Sequence, residues 1–180
     1  MPELPEVEVT RLSFAANISG ARVLAVRLGK PLRWPLQCEP DELLGYTVLQ
    51  VRHRGKYLLL DLEKSKSKGL LLMHLGMSGS FALLPANDAR RKHDHLCMDF
   101  DNTQLRYHDP RRFGSILWLH EPRAQSLLAS LGVEPLDDAF NAEHLAAKLQ
   151  HKKIAVKVAI MDNAVVVGVG NIYATEALFY

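Results

Sequence analysis

The sequence predicts an α+β chain: an N-terminal helix, a mostly β stretch over residues 21–120, and a helical remainder. Two observations carry this. Apolar residues change from helical spacing to period two after Gly20, and return to helical spacing after Pro122. Between those points turn residues recur about every 8–12 positions, as in a sandwich or barrel.

The elements follow in order. Pro5, with Val7, Val9, Leu12 and Phe14 behind it, reads as a helix with proline in its first turn, running to Ile18 and stopped by Gly20. Val23, Ala25 and Val26-Arg27-Leu28 begin the β region, and Tyr46–Val51 continues it. Tyr57–Leu62 and Leu70–Leu75 are apolar runs of the kind found in buried strands. His95–Phe100, a turn at Asp101-Asn102, and Thr103–Tyr107 form a hairpin, and Ser115–Leu119 is a further strand. Ala124–Leu131 is helical and ends at Gly132. Asn141 opens a helix through Leu145 and Leu149, Ile154–Met161 is another, and Asn171 caps the last, Tyr173–Tyr180. A domain boundary near Val133–Pro135 divides the chain into 1–133 and 134–180. The helices of the second part are too short to bury their apolar faces alone.

Composition bounds the function. The 180 residues are 48% hydrophobic and 23% charged, an ordinary globular balance. No apolar run approaches the roughly 18 residues needed to span a bilayer. No basic-then-apolar leader opens the chain. A soluble intracellular protein with no membrane partner is expected. Cys38 and Cys97 lie far apart without CxxC spacing, which argues against a zinc site or a disulfide framework made by this chain alone.

The opening Met1-Pro2-Glu3-Leu4-Pro5-Glu6-Val7-Glu8 carries the most chemistry. An initiator Met before a small residue is usually removed, which would leave Pro2 with a free secondary amine. An α-amino group has an ordinary pKa of about 7.7–8.0, so much of it is nucleophilic at neutral pH. Condensation with an aldehyde-level carbon would give an iminium, an electron sink. Glu3 lies beside that nitrogen. The bland alternative, a disordered tail, fits poorly with the helix that follows.

Three basic clusters suit phosphate: Arg52-His-Arg54-Gly-Lys56, Arg90-Arg-Lys-His93, and Lys148, His151, Lys152, Lys153 and Lys157. Each alone reads equally well as a solvated face; together they favour a polyanion. Lys56 abuts the apolar run Tyr57–Leu60, where partial desolvation would make it a usable acid/base, or where it simply snorkels. Asp109-Pro-Arg-Arg-Phe-Gly114 puts two guanidinium groups and a ring on a turn. Such a turn can enter a duplex and fill the gap left by an extruded base, or serve as an ordinary surface turn. His74-Leu-Gly-Met-Ser-Gly79 places Met77 in a glycine-rich turn as a second apolar filler or as core. Val167-Gly-Val-Gly-Asn-Ile-Tyr173 offers closely spaced amides ahead of a helix, a site suited to a phosphate.

Together these segments resemble the formamidopyrimidine-DNA glycosylase family of bacterial base-excision repair. The motifs are Pro2-Glu-Leu-Pro-Glu-Val7, Gly55-Lys-Tyr-Leu-Leu-Leu60, His74-Leu-Gly-Met-Ser-Gly-Ser80, Lys92-His-Asp-His95, Asp109-Pro-Arg-Arg-Phe-Gly114, and Met161-Asp-Asn with Gly168-Val-Gly-Asn-Ile-Tyr173, in family order. Leu4 separates the chain from the related endonuclease VIII group, whose members typically carry glycine there. The resemblance implies an N-terminal helix with a two-layer β-sandwich, then a helix–two-turn–helix domain, then a zinc finger. It implies excision of oxidised purines such as 8-oxoguanine and formamidopyrimidines from duplex DNA. Pro2 would attack C1′, expel the base and leave a Schiff base that undergoes β- and δ-elimination. Glu3 would donate and accept protons at the sugar, Lys56 would be the second acid/base, and Glu6 would support the pocket. His93, Arg111 and Lys153 correspond to DNA contacts, with His74, Asn171 and Tyr173 as further ones. Met77, Arg111 and Phe113 correspond to the residues that fill the gap. A monomer bound to damaged double-stranded DNA, cytoplasmic and nucleoid-associated, is expected.

One departure stands out. The chain stops at Tyr180, inside the helix–two-turn–helix region. The zinc finger with its four cysteines and its elimination-promoting arginine, and the loop covering the oxidised base, lie outside this sequence. A fragment or truncated protein that binds DNA weakly and lacks robust excision is expected, with no cofactor of its own. Two other readings are a non-catalytic DNA-binding module and a tautomerase that uses an N-terminal proline as base.

Overall fold

The computed structural model describes residues 1–86, 88–120 and 126–180. Helix α1 (Leu4–Ile18) is followed by strand β1 (Ala25–Leu28), a 3-10 turn at Pro40–Leu43, and strands β2 (Thr47–Arg54), β3 (Tyr57–Lys64) and β4 (Ser67–His74). Strands β5 (Ser80–Pro85), β6 (Asp94–Asp99), β7 (Thr103–His108) and β8 (Ser115–His120) complete the β region. Helices α2 (Ala142–Leu149), α3 (Val156–Ile160) and α4 (Asn171–Phe179) close the chain. Among the described residues no helix is long and apolar enough to cross a membrane.

Two antiparallel four-stranded sheets, ordered β1-β6-β7-β5 and β2-β3-β4-β8, make the expected two-layer sandwich. Alternation explains the packing. Leu58, Leu60 and Leu62 of β3 enter the core between the sheets with Leu71, Met73, Leu96, Met98 and Leu105. The intervening Leu59 faces the other way and joins Leu70, Leu72, Leu117 and Leu119 in a second cluster, against which Leu128 packs. Strands β3, β4 and β8 are therefore covered on both sides, which is why they read as apolar runs, whereas β2 at the edge buries only Val48 and Val51. Helix α1 closes the first core with Val7, Phe14 and Ile18, and the Phe14 ring lies 5.7 Å from that of Phe81.

Several expectations need correction. Helix α1 forms where Val7, Val9, Leu12 and Phe14 marked it, but of these only Val7 and Phe14 are buried, while Val9 and Leu12 are exposed at 67% and 60%. Strand β5 was not foreseen. It follows a glycine-rich turn, ends in proline and buries only Phe81, so its period-two signal is faint. The hairpin strands and the β8 region form as expected. Of the helix expected at 124–131, residues 126–129 are helical and 124–125 lie outside the described residues. The helix expected at 154–161 is shorter, running only over Val156–Ile160: Ile154 lies in a bend, Ala155 is the non-helical N-cap and Met161 the C-cap. Asn141 caps α2 as expected, its side chain accepting from the His144 N–H at 2.9 Å.

Asn171 does not cap the last helix. It is the first helical residue, preceded by Gly170. The cap comes from the far end of the sequence: the buried Glu3 carboxylate accepts from the N–H groups of Gly170 (2.7 Å), Ile172 (2.8 Å) and Tyr173 (3.2 Å). These are the donors a helix N-terminus leaves free, and the helix dipole favours an anion there. A side chain at Gly170 would collide with that carboxylate, so glycine is needed for the approach. The Glu6 carboxylate accepts in turn from the Glu3 N–H (2.9 Å), closing a capping box at the start of α1, and the Leu4 N–H donates to the Gly168 carbonyl (3.0 Å).

Glu3→Ala would strand these buried donors, at about 1–3 kcal/mol for each left unsatisfied. We expect a loss of about 2 kcal/mol or more in urea denaturation, with faster amide exchange concentrated in α4; a loss near zero would show that the clasp does not hold the helix. Acid sensitivity follows from two buried groups of the β6–β7 region. Burial lowers the His95 imidazole below its usual value. Burial alone would raise Asp94, but hydrogen bonds from the Arg91 N–H and His108 and the charge of Arg106 outweigh it and hold the carboxyl below the aspartate range. In both cases the unfolded chain takes up the proton first. The stabilisation is present above the unfolded values, about 6.5 for histidine and 3.9 for aspartate, and is lost as pH falls through the lower folded values. The thermal midpoint should therefore fall in two stages below about pH 6.5 and about pH 4. His95→Gln should flatten the first stage.

Candidate active site

Five segments converge on one side of the sandwich. They are the N-terminus, the β2–β3 turn with Gly55-Lys56, the end of β4 with its turn 75–79, the turn 109–114 after β7, and residues 31–34. A cavity of about 190 Å³ is bordered by Met1, Lys56, Tyr57, His74, Met161, Asn163, Val167 and Val169, among others. A wider cleft of about 870 Å³ shares Met1, Tyr57 and His74 and extends over Arg33, Trp34, Met77, Arg111, Arg112 and Phe113. Pro2, bonded to Met1, stands beside both. Arginine and lysine line these cavities and, among the described residues, no carboxylate does.

Lys56 lies in the tight turn joining two long buried strands, which leaves it half-buried. Burial pushes its ammonium below the ordinary lysine value, while the nearby Glu3 carboxylate pulls the other way. His74, at the end of β4, is lowered by burial and by the charges of Lys56 and Arg33. Its Nδ1 accepts from the Gly76 N–H (3.0 Å), so the neutral ring carries its proton on Nε2. The Tyr57 ring packs against it at 5.3 Å. In the wider cleft Met77 and Phe113 are 48% and 44% exposed, and the Arg111 guanidinium stacks on the Phe113 ring at 4.6 Å.

The structure thus brings Lys56 and His74 to the smaller cavity and His74, Met77, Arg111 and Phe113 to the larger, with Pro2 bonded to Met1, which lines both; the buried Glu3 faces the amides of α4, and Glu6 accepts from its backbone N–H. It does not bring the remaining predicted residues to the cavities. Lys153 is exposed between α2 and α3, and Asn171 is exposed at the start of α4. Tyr173 borders a separate apolar cavity of about 500 Å³ with Leu4, Pro5 and Val169. His93 sits ahead of β6, its ring 5.8 Å from that of His108 and its carbonyl accepting from the Asp109 N–H (3.0 Å).

Two charge readings are corrected. The first basic cluster is largely neutralised internally: Arg52 pairs with Asp61 (2.6 Å), His53 lies 3.5 Å from Glu8, and Arg54 pairs with Glu134 (2.6 Å). The amides of the glycine-rich segment before α4, read as a phosphate site, are occupied by the Glu3 carboxylate.

Sequence reasoning missed Glu134, Arg33 and Trp34. One Glu134 oxygen accepts from both Arg54 and the Gly55 N–H (2.8 Å), and Arg54 also donates to the carbonyls of Leu131 and Gly132. The turn that carries Lys56 is thereby pinned to the helical part. An acid between Val133 and Pro135 gives no local signal of this, nor do the two residues before Pro35. Zinc, implied by the resemblance, finds no fitting ligand set: Cys97 is enclosed in β6, Cys38 is half-buried elsewhere, and among the described residues no three His, Cys, Asp or Glu side chains cluster suitably.

Comparison with known proteins places this geometry. The model of the formamidopyrimidine-DNA glycosylase N-terminal domain matches residues 1–116, and that of the family's H2TH domain matches residues 131–180. The formamidopyrimidine-DNA glycosylase of Polaromonas naphthalenivorans is 57% identical, over 99% of this chain and 66% of its own length. That of Acinetobacter baumannii is 51% identical, over 99% and 64%. The chain spans about two thirds of the length of these relatives. The Lactococcus lactis enzyme, solved in complex with DNA containing Fapy-dG, superposes with a TM-score of 0.88 at 30% identity, covering 98% of this chain and 67% of that one. Its complex with DNA containing an abasic site gives 0.88 at 30%, covering 98% and 65%. With both family domains matched in order and the sandwich and its helices superposed on solved members, this chain belongs to the formamidopyrimidine-DNA glycosylase family.

Proposed function

We propose that this chain binds damaged double-stranded DNA and carries the catalytic groups of a bifunctional glycosylase/AP lyase for oxidised purines, 8-oxoguanine and formamidopyrimidines among them. The observation that carries this reading is the cleft itself. Met1, bonded to Pro2, lines both adjoining cavities, the half-buried Lys56 lines the smaller, two exposed apolar side chains and a stacked arginine line the larger, and among the described residues the lining holds cations without carboxylates. A polyanion is drawn to such a cleft, and the Met77–Arg111–Phe113 group is shaped to occupy a vacated base position. The division at residue 133, a monomeric state and a cytoplasmic, nucleoid-associated location belong to the same reading.

In this reading removal of Met1 frees the Pro2 nitrogen. Its lone pair attacks C1′ of the extruded nucleotide and the base leaves with a proton; opening of the sugar ring gives an iminium at C1′. Loss of a proton from C2′ then expels the 3′-phosphate, and a second elimination expels the 5′-phosphate. Glu3 is the proton carrier at the sugar, fixed by the amides of α4, with Glu6 holding its backbone. Lys56, brought toward neutrality by burial, is the second acid/base. His74, His93, Lys153, Asn171 and Tyr173 would supply contacts to DNA.

Borohydride trapping on DNA with an abasic site tests the nucleophile. The adduct should form on chains whose intact mass lacks Met1, with little release of 8-oxoguanine by these 180 residues alone. Equal trapping of Met1-bearing chains would sink the Pro2 assignment, and no adduct from Met1-free chains would favour a purely DNA-binding module. Lys56→Met should slow strand cleavage by about 100-fold or more while binding changes little. The wild-type rate should rise with pH along a limb below the ordinary lysine value of about 10.4, and the variant should lose that limb.

A further inference from the structure

We infer that Asp109 is a positioning residue that locks the turn bearing Met77 and the turn bearing Arg111 and Phe113 into one rigid unit. The inference builds on the proposed reading of those side chains as a wedge. Asp109 follows β7 directly and is fully buried, yet it lies in neither cavity. Its Oδ1 accepts from the Ser78 hydroxyl (2.6 Å) in one turn and from the Arg111 N–H (3.2 Å) in the other. Its Oδ2 accepts from the Gly114 N–H (2.9 Å). The Tyr107 hydroxyl stands between Oδ2 (3.0 Å) and the Leu75 carbonyl (3.1 Å), its one proton shared between the two turns. The Asp109 carbonyl accepts from the Arg112 N–H (3.2 Å) and meets His95 Nε2 at 3.1 Å.

The turns also touch backbone to backbone. Gly76, at φ +67°, lies against the Phe113–Gly114 peptide, so that a side chain there would strike its atoms. A buried carboxylate persists only when its oxygens are paired. Here the pairing is split between the two segments, so either turn moving alone would strand the charge. Met77 and Phe113 are therefore expected to enter DNA together rather than independently.

Two measurements on the full 180-residue chain test this. In the first, Met77→Ala and Phe113→Ala are made singly and together, in the wild-type chain and in Asp109→Asn. Binding is read against duplexes with and without a tetrahydrofuran abasic analogue. In the wild type the double variant should bind about tenfold more tightly than the product of the single losses implies, as for coupled neighbours. In Asp109→Asn, with folding checked by circular dichroism, the losses should multiply. Persistent coupling in a folded Asp109→Asn would overturn the inference. The second uses Ser78→Ala, which removes one hydrogen bond from the Met77 turn alone, and reads amide exchange by NMR without DNA. Protection at Gly114 should fall although Ser78 does not touch it, whereas unchanged protection would overturn the inference even if Asp109→Asn fails to fold. A fall at Gly114 in a chain that shows no preference for the abasic duplex would support the clamp and count against the DNA-damage reading.

Discussion

The Glu3 carboxylate is the constraint on which the arrangement depends. A buried acid is costly unless its oxygens are paired, and the amides that pair it belong to the first turn of α4. One contact therefore fixes the end of the chain that bears Pro2, the start of α1 and the last helix. The Leu4–Gly168 hydrogen bond and the Glu6 return bond keep the backbone on either side in register. Glu134 makes a second tie by the same means, an acid reaching a backbone amide, and holds the β2–β3 turn to the helical part. Both walls of the smaller cavity are thus set by carboxylates that do not line it.

This distribution of charge has a physical logic. Arg52 and Arg54 spend their charge inside the protein, against Asp61 and Glu134. The cations left on the cleft face, Arg33, Lys56, Arg111 and Arg112, are the ones that shape its field. The small net charge of +2 therefore conceals a polarised surface, and the cleft needs few cations because among the described residues its lining holds no opposing acid.

How much of this could be read in the sequence depended on distance along the chain. Period-two and helical spacing located α1, the hairpin of β6 and β7, β8 and α2, because their burial patterns repeat within a few residues. The residues of the site were legible as motifs. Their partners were not, since Glu3 and Gly170 are separated by 167 positions and Arg54 and Glu134 by 80. The same limit misled the reading of the Val167–Tyr173 segment: its amides attract an anion, as expected, but the anion is the protein's own. Val9 and Leu12 helped to mark α1 and yet lie exposed, since apolar residues in a helix signal its spacing without saying which of them the core covers. Strand β5 was lost because a single buried Phe81 makes no pattern.

The separation between Glu3 and its amides also sets an order of events during synthesis. Translation proceeds at about 5–20 residues per second, so roughly 8–33 seconds pass between the emergence of Glu3 and that of Gly170. Throughout that interval the N-terminus has no α4 to dock on, and the Glu3 carboxylate has none of the amides that later pair it. Once α4 is made, Glu3 gains its partners and is buried with Leu4. The clasp is thus one of the last contacts to form, closing the two ends of the chain on each other only when nearly all of it has been made.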